Sequence, residues 1–191
     1  MKLVLGLTGP NAAGKGEVAV YLRRLGFDVH SLSDVVREEA SARGLTPERE
    51  HLIRIGTLLR ETEGPGALAQ RILPRLGDRD VVDSIRNPRE VEVLRRLPHF
   101  VLVSVSADVG LRFRRMQARR RPGDPTTLEA FKDREAQENT ANPNAQRLAA
   151  TSALADRVIV NDGDLEALHR EVDRLLGQLE ASPATARDER V

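Results

Sequence analysis

Residues 9–16 carry the clearest chemical pattern in the chain, a glycine-rich turn that ends in a lysine. The segment reads Gly9-Pro10-Asn11-Ala12-Ala13-Gly14-Lys15-Gly16. An apolar stretch precedes it and a helical pattern follows it, which is the context of a Walker A loop that binds nucleotide phosphates. In such a loop, backbone N–H groups and a helix N-terminus face the phosphates, and Lys15 reaches the terminal ones. An ordinary strand-to-helix turn is the alternative, which the spacing and the lysine disfavour.

The residues after the lysine depart from the common form of this loop. Where a Ser or Thr hydroxyl usually ligates Mg²⁺, this chain has Gly16 and then Glu17. A magnesium ion would therefore depend on waters, phosphate oxygens and a carboxylate elsewhere. Asp83 ends an apolar stretch and is our candidate for that carboxylate, acting through water. A turn aspartate at the end of a strand is the alternative.

The loop also carries resemblances to known families. Gly14-Lys15-Gly16 resembles the loop of adenylate kinases, and Gly6-Leu7-Thr8-Gly9 resembles the opening of dephospho-CoA kinases. From Leu3 to about Leu176 the chain is most similar to the archaeal and bacterial kinase group related to both. These resemblances imply a phosphotransferase that uses ATP and Mg²⁺. They imply cofactor-binding roles for residues Gly9, Asn11, Ala12, Ala13, Gly14, Lys15, Gly16 and Glu17.

Residues 31–37 are candidates for binding the phosphoryl acceptor. Asp34 and Arg37 are three positions apart, so they share a helix face, and Ser33 suits the cap of that helix. The segment resembles nucleoside monophosphate kinases, which implies that Ser33, Asp34 and Arg37 bind the acceptor. In dephospho-CoA kinases an aspartate near this place activates the acceptor hydroxyl, which would make Asp34 a catalytic base.

Two further arginines are acceptor candidates. Arg86 resembles the second acceptor-phosphate arginine of nucleoside monophosphate kinases, although its spacing from the strand differs by one residue. Arg60 lies in segment 35–76, which the resemblance identifies as the helices that cover the acceptor. For Arg60 the alternative is a solvated helix arginine paired with Glu63.

The two acceptor classes make different demands on a kinase. A monophosphate already presents an ionised oxygen, so its kinase relies on arginine clamps. A hydroxyl must lose a proton, so its kinase profits from a positioned carboxylate. The chain contains both elements. We expect a (deoxy)nucleoside monophosphate as the acceptor, with the 3'-hydroxyl of dephospho-CoA as the alternative.

Segment 112–138 resembles the small lid of these kinases. Residues 112–121 contain six arginines and no acid, then Pro122-Gly123-Asp124-Pro125 breaks the helix and a return helix follows. The resemblance implies that Arg115 and Arg119 are catalytic, closing over the transferring phosphoryl group, with Arg134 a further candidate. A solvated or nucleic-acid-facing basic helix, in a non-catalytic nucleotide-binding protein, is the alternative.

The segment around residue 161 resembles the last strand and turn of dephospho-CoA kinases. That likeness implies that Asn161 and Gly163 border the adenine of ATP through their backbone. A strand-to-helix turn capped by Asp164 is the structural alternative, and both can hold.

Short apolar runs alternate with helical patterns along the chain, which predicts a parallel sheet of five strands covered by helices on both faces, a three-layer α/β fold. The predicted strands are Leu3–Leu7, Val29–Leu32, Val81–Asp83, Phe100–Val105 and Val158–Val160. The predicted helices are Lys15–Leu25, Asp34–Arg43, a stretch from Glu48 to Leu76, Arg89–Leu97, Val109–Arg121, Leu128–Glu138 and Leu165–Leu179. Two helices are predicted to begin at a proline, Pro47 after Thr46 and Pro88 after Asn87. We expect one domain over residues 1–180 and a disordered tail over 181–191.

The composition excludes several classes of function. The chain has 191 residues and a net charge of +1, no cysteine, and only 3% aromatic residues. Disulfides, thiolate metal sites and base-stacking nucleic-acid modules are therefore excluded or disfavoured. No apolar run approaches the roughly 20 residues of a membrane span. We expect a cytoplasmic monomer or homodimer whose partner is a small-molecule nucleotide rather than a membrane or a nucleic acid.

Overall fold

The computed structural model describes residues 2–120, 123–139 and 142–181. Five parallel strands form one sheet in the order β2-β3-β1-β4-β5. The strands are β1 (Leu3–Thr8), β2 (Asp28–Ser31), β3 (Arg79–Asp83), β4 (Phe100–Ser106) and β5 (Arg157–Val160). The five-stranded parallel sheet predicted from the sequence is thus confirmed, and each strand begins and ends within two residues of its predicted limits.

Helices connect the strands. They are α1 (Lys15–Arg24), α2 (Leu32–Ala42), α3 (Arg49–Glu63), α4 (Ala67–Ile72), a 3-10 turn (Leu73–Arg75), α5 (Pro88–Leu94), α6 (Val109–Arg119), α7 (Leu128–Glu138), α8 (Leu148–Ser152) and α9 (Leu165–Ala181). The sequence patterns did not indicate α8, which is only 5 residues long. Helix α9 includes Ala181, and the rest of the predicted tail lies outside the described residues, as does Arg121.

Strand β1 lies at the centre of the sheet and all six of its residues are buried. Its two faces enter two hydrophobic clusters, as expected of a strand covered on both sides. One cluster joins Leu5 and Leu7 to α1 and α9, and the other joins Val4 to α2–α5. The loop that follows β1 therefore starts from the most constrained part of the molecule.

The ends of helices α3 and α5 test the starts predicted at prolines. Asn87 accepts from the backbone N–H of Arg89 and forms a capping box with Glu90, so the predicted start of α5 is confirmed. Helix α3 begins at Arg49 with Glu48 as its N-cap, so the predicted start at Pro47 is wrong. The stretch from Glu48 to Leu76 is also interrupted, because Gly64 ends α3 at φ 95°.

No helix within the described ranges has the length and apolar character needed to cross a membrane.

The close packing around Gly6 gives a first prediction. A Cβ at this position would lie 2.5 Å from Phe100 Cζ and 2.7 Å from Ile85 Cδ1. Gly6→Val should therefore lower the free energy of unfolding by about 1–3 kcal/mol, the usual cost of overpacking, as measured by urea denaturation. Gly177→Ala is the control, since a Cβ there meets nothing within 4 Å, and it should stabilise α9 by roughly 0.5–1 kcal/mol. Equal effects of the two substitutions would contradict this packing.

Candidate active site

The loop between β1 and α1 has the backbone shape of a phosphate-binding loop. Gly9 and Gly14 have φ of 125° and 106°, and Ala12 has φ of 58°. A Cβ on Gly9 would lie 2.1 Å from the carbonyl oxygen of Val105, so only glycine fits there. Alanine rarely adopts a left-handed conformation, and such strain is typical of ligand-binding loops. The loop therefore wraps toward the start of α1, where backbone N–H groups are free to bind an anion.

Lys15 is the first residue of α1 and its side chain folds back over the loop. Its Nζ donates to the carbonyl oxygens of Gly9 and Pro10, each at 2.8 Å. The pKa of Lys15 is lowered from 10.5 to about 8, mainly by burial and also by nearby Arg86 and Arg112, while Asp83 and Glu135 oppose the shift. An anion bound in the loop would favour the charged amine and replace these carbonyl contacts.

Asp83 lies at the end of β3, close enough to Lys15 to affect its charge. Its Oδ1 is buried and accepts no hydrogen bond from any described residue, while Oδ2 accepts from the hydroxyl of Ser84 at 3.4 Å. Ser84 has φ of 65°, and its hydroxyl accepts from Ser31 at 3.2 Å. A buried carboxylate oxygen without a donor fits the predicted role of holding Mg²⁺ through water.

Elsewhere, the described residues offer few further ligands for magnesium. Within the described residues, no group of three or more His, Asp or Glu side chains could hold a metal ion. Glu17 is exposed at the start of α1, and a side chain at Gly16 would meet nothing within 4 Å. A metal here would be held mainly by phosphate oxygens and water, and the contribution of Asp83 stays a prediction.

A cavity of about 760 Å³ lies between α2, α3 and the lid segment. We call it the acceptor cavity. Five arginines line it, namely Arg37, Arg60, Arg86, Arg119 and Arg134. Its apolar wall comes from α2, α3 and α4 through Leu32, Val36, Leu52, Ile53 and Leu68. Guanidinium groups beside an apolar wall suit a small organic molecule that carries phosphate or carboxylate.

The residues predicted from 31–37 fall partly in this cavity. Ser33 and Arg37 line it, whereas Asp34 is not among the lining residues and forms an ion pair with Arg37. The predicted cap at Ser33 is wrong, because Ser31 is the N-cap and its hydroxyl accepts from the backbone N–H of Ser33. The shared helix face of Asp34 and Arg37 is confirmed by their contact.

Arg86 and Arg60 have hydrogen-bond partners that the sequence analysis did not predict. The guanidinium of Arg86 donates to Gln146 Oε1 at 2.9 Å. Arg60 is neither solvated nor paired with Glu63: it is only 4% exposed and donates from Nε and Nη2 to Glu90 Oε1, at 3.0 and 2.7 Å. The solvated alternative for Arg60 is therefore wrong. Glu90 was missed, because nothing in its sequence neighbourhood indicates a partner 30 residues away.

Arg112 was also missed, although it begins the basic segment. It is buried and donates to the backbone carbonyl of Asn11 in the phosphate loop at 3.1 Å. It also forms an ion pair with Glu135 on α7 and lies 5.4 Å from the ring centre of Phe131. Arg112 thus ties the return helix of the lid segment to the loop, which is a contact that spacing along the sequence could not show.

The two arginines predicted to be catalytic lie in different places. Arg119 lines the acceptor cavity and donates to Asp124 at 3.3 Å, and Arg134 also faces Asp124. Arg115 instead donates to the carbonyls of Asn161 at 2.8 Å and Gly163 at 3.1 Å. A catalytic role for Arg119 is compatible with its position. In this conformation Arg115 supports the last turn, and its role at the phosphoryl group stays a prediction.

Asn161 connects that last turn to the phosphate loop. Its side-chain Nδ2 donates to the carbonyl of Ala13 at 2.8 Å, and a Cβ on Gly14 would lie 2.3 Å from the same atom. The residue is buried. Asp164 accepts from the backbone N–H of Ala167 and so caps α9 as predicted. The turn thus lies beside the phosphate loop. This position agrees with the predicted contact of the turn with a nucleotide base, which stays a prediction.

Comparison with known proteins agrees with this arrangement. The family model described as "AAA domain" matches residues 5–140. A UPF0200 protein of Hyperthermus butylicus is 37% identical over 182 residues, which cover 93% of this chain and 95% of that protein. The chain belongs to the AAA domain family and to the UPF0200 proteins. A second UPF0200 protein, from Pyrococcus abyssi, is 34% identical over 186 residues, covering 93% and 97% of the two chains.

Solved structures similar to this UPF0200 chain show its fold. TT1252 from Thermus thermophilus matches with a TM-score of 0.61 and 24% identity, over 93% of this chain and 97% of that one. Shikimate kinase from Bacteroides thetaiotaomicron matches with a TM-score of 0.61 and 16% identity, over 93% and 98%. The UPF0200 chain therefore has the α/β fold of P-loop kinases, as the sequence predicted. The finer resemblance to dephospho-CoA kinases stays a prediction.

The lowered pKa of Lys15 predicts how nucleotide binding depends on pH. Lys15 loses its proton near pH 8 in the free protein, and a bound triphosphate raises that pKa, so affinity falls as the pH rises above about 8. The Kd for ATP should increase by up to about tenfold per pH unit there, as measured by calorimetry from pH 6.5 to 9.5. Lys15→Arg, which does not titrate in this range, should give a flat profile over the same interval. Parallel profiles for the two proteins would contradict the role assigned to Lys15.

Proposed function

We propose that this protein transfers the γ-phosphoryl group of ATP, with Mg²⁺, to a small anionic acceptor, most simply a nucleoside or deoxynucleoside monophosphate. The observation that carries this proposal is the position of Arg86. It lines the acceptor cavity and is also close enough to Lys15 to lower its pKa. One guanidinium group is thus shared by the donor and acceptor sites, as expected where a phosphoryl group passes between two anions.

On the donor side, the loop N–H groups and Lys15 would hold the β- and γ-phosphates. Asp83 would orient Mg²⁺ through its water ligands, using the buried Oδ1 that has no other partner among the described residues. The metal would neutralise charge that develops on the transferred group. Asn161 and Gly163 would border the base, with Arg115 holding their carbonyl oxygens in place.

On the acceptor side, the arrangement favours a phosphate over a hydroxyl group. A hydroxyl acceptor needs a carboxylate within reach of its proton. Asp34 is outside the lining of the cavity and its charge is already paired with Arg37. An ionised phosphate needs only the clamp that Arg37 and Arg86 provide. Phosphorylation of the 3'-hydroxyl of dephospho-CoA is therefore our second candidate.

The lid segment would complete the site by excluding water. Arg119 and Arg134 lie at the cavity and share Asp124, which holds two cations near each other. A transferring phosphoryl group could take the place of that carboxylate when the lid closes. The inward contacts of Arg112 and Arg115 speak against a solvated basic helix that binds nucleic acid.

A substrate panel tests the proposed function. ATP consumption is followed with each ribo- and deoxyribonucleoside monophosphate, dephospho-CoA and shikimate as acceptors, and with no acceptor as the control. We expect turnover with at least one monophosphate and none above the control with shikimate. Turnover with dephospho-CoA alone would reverse the order of the two candidates. If none of the acceptors tested were phosphorylated, the proposal would be contradicted.

The role of Asp34 distinguishes the two acceptor classes within that experiment. For a monophosphate acceptor, Asp34→Asn should lower kcat by less than about tenfold and keep the acidic limb of the pH–rate profile, because no acceptor proton has to be removed. Arg37→Ala should instead raise the acceptor KM by about tenfold or more, since it removes a charged donor to the phosphate. A loss of about 10²–10⁴-fold in kcat together with the acidic limb in Asp34→Asn would show hydroxyl activation.

A further inference from the structure

Glu90 contacts two of the arginines that line the acceptor cavity, the side chain of Arg60 and the backbone N–H of Arg86, although it is itself outside the cavity lining. It is the third residue of α5, it is completely buried, and its nearest partner on another helix is Arg60 of α3. Buried carboxylates are rare unless every oxygen has a donor. The role of Glu90 therefore depends on which groups donate hydrogen bonds to each of its two carboxylate oxygens.

The two carboxylate oxygens serve different elements. Oε2 accepts from the backbone N–H groups of Arg86 and Asn87, at 2.9 and 3.1 Å. These bonds fix the turn between β3 and α5, including the backbone of Arg86. Oε1 accepts from Nε and Nη2 of Arg60, at 3.0 and 2.7 Å. One carboxylate thus holds two residues that approach the cavity from different elements, Arg60 from α3 and Arg86 from the turn between β3 and α5.

We propose that Glu90 is a positioning residue for the acceptor, which holds Arg60 and Arg86 at a fixed separation so that both donate to one anionic group. The inference rests on the proposed function, because it assumes that the acceptor cavity binds an anion. It adds Arg60 to the acceptor clamp as a donor that is oriented by Glu90.

The geometry of Arg60 supports this role. Its hydrogen bonds to Glu90 use Nε and Nη2, and none of the described residues accepts from Nη1, which can therefore donate to a ligand. Nη1 lies beside Gly56, 3.4 Å from where a Cβ would stand, and Gly56 lines the acceptor cavity. Because its charge is matched by Glu90, Arg60 acts mainly as an oriented hydrogen-bond donor.

The turn that carries Arg86 and Asn87 is held by further hydrogen bonds. The Arg86 guanidinium donates to Gln146, while Asn87 Nδ2 donates to the carbonyls of Pro143 and Ala145 at 2.6 and 2.9 Å. The turn that Glu90 fixes is therefore also attached to the segment that follows the lid. A purely structural role would not require the contact between Glu90 and Arg60. Capping α5 uses Oε2 alone, and a buried ion pair adds little net stability compared with apolar packing.

Steady-state kinetics test the proposal with Glu90→Gln and with Arg60→Lys, which keeps the charge but loses the bidentate contact. Each variant should raise the acceptor KM by about tenfold or more and the ATP KM much less, because the Glu90–Arg60 contact lies on the acceptor side and Glu90 holds only the backbone of the shared Arg86. The double variant should be no worse than the stronger single one, because both changes break the same contact. Glu92→Gln is the matched control on the same helix, since Glu92 is exposed and pairs only with exposed Arg89 in the described part of the chain.

The outcomes separate positioning from a general loss of structure. An unchanged acceptor KM, or a parallel rise in both KM values with a lowered Tm, would overturn the proposal. If Glu90→Gln fails to fold, Arg60→Lys gives the same comparison, because it leaves the cap of α5 intact.

The failure of the proposed function would be visible separately, because the unaltered protein would then phosphorylate no acceptor. In that case the ¹⁵N–¹H signal of Arg60 Nε, titrated with inorganic phosphate, replaces kinetics as the readout. Positioning predicts that phosphate shifts this signal in the unaltered protein and binds roughly tenfold more weakly in Glu90→Gln. An equal response of the two proteins would overturn the inference.

Discussion

The rest of the site depends on the positive charge of Lys15, at the start of the helix that follows the central strand. Burial and, to a lesser extent, nearby Arg86 and Arg112 bring the pKa of Lys15 down to about 8, so its ammonium group is costly to keep charged unless oxygen atoms surround it. In the protein without ligand those atoms are two carbonyls of its own loop. The same desolvation makes the group an effective partner for a triphosphate, because a charge with few competing waters binds an anion more strongly.

The parallel sheet is what brings the other groups to Lys15. Strand β1 pairs with β3 on one side and β4 on the other, and β4 pairs with β5, all in parallel. Asp83 at the end of β3, Arg86 in the turn that follows it and Asn161 after β5 therefore lie at the same edge of the sheet. Three separate contacts then brace the loop, from Arg112, from Asn161 and from the hydrogen bond between Asn11 and Glu138 at 2.8 Å. The acceptor cavity opens beside this braced loop.

The sequence predicted those features of the fold and the site that depend on residues close to one another along the chain. The strands, the loop glycines and the helix start at Pro88 after Asn87 depend on neighbours within a few residues, and the sequence indicates them directly. The pairing of Arg60 with Glu90 could not be found this way, since Glu63 satisfies the usual i,i+3 rule and yet pairs with Arg71. The contacts of Arg112 and Arg115 likewise depend on how α6 packs against the loop and the last turn. Tertiary packing, which sequence spacing does not encode, decides which arginines face the ligand.

A crystal structure with Mg²⁺ and a non-hydrolysable ATP analogue tests the central claim most directly. The account predicts that Lys15 Nζ leaves the carbonyls of Gly9 and Pro10 and lies within about 3 Å of the β- and γ-phosphate oxygens. The loop N–H groups should point at the same phosphates, and a metal-bound water should contact Asp83. A triphosphate bound elsewhere, or a Lys15 side chain that keeps its carbonyl contacts beside the bound nucleotide, would contradict it.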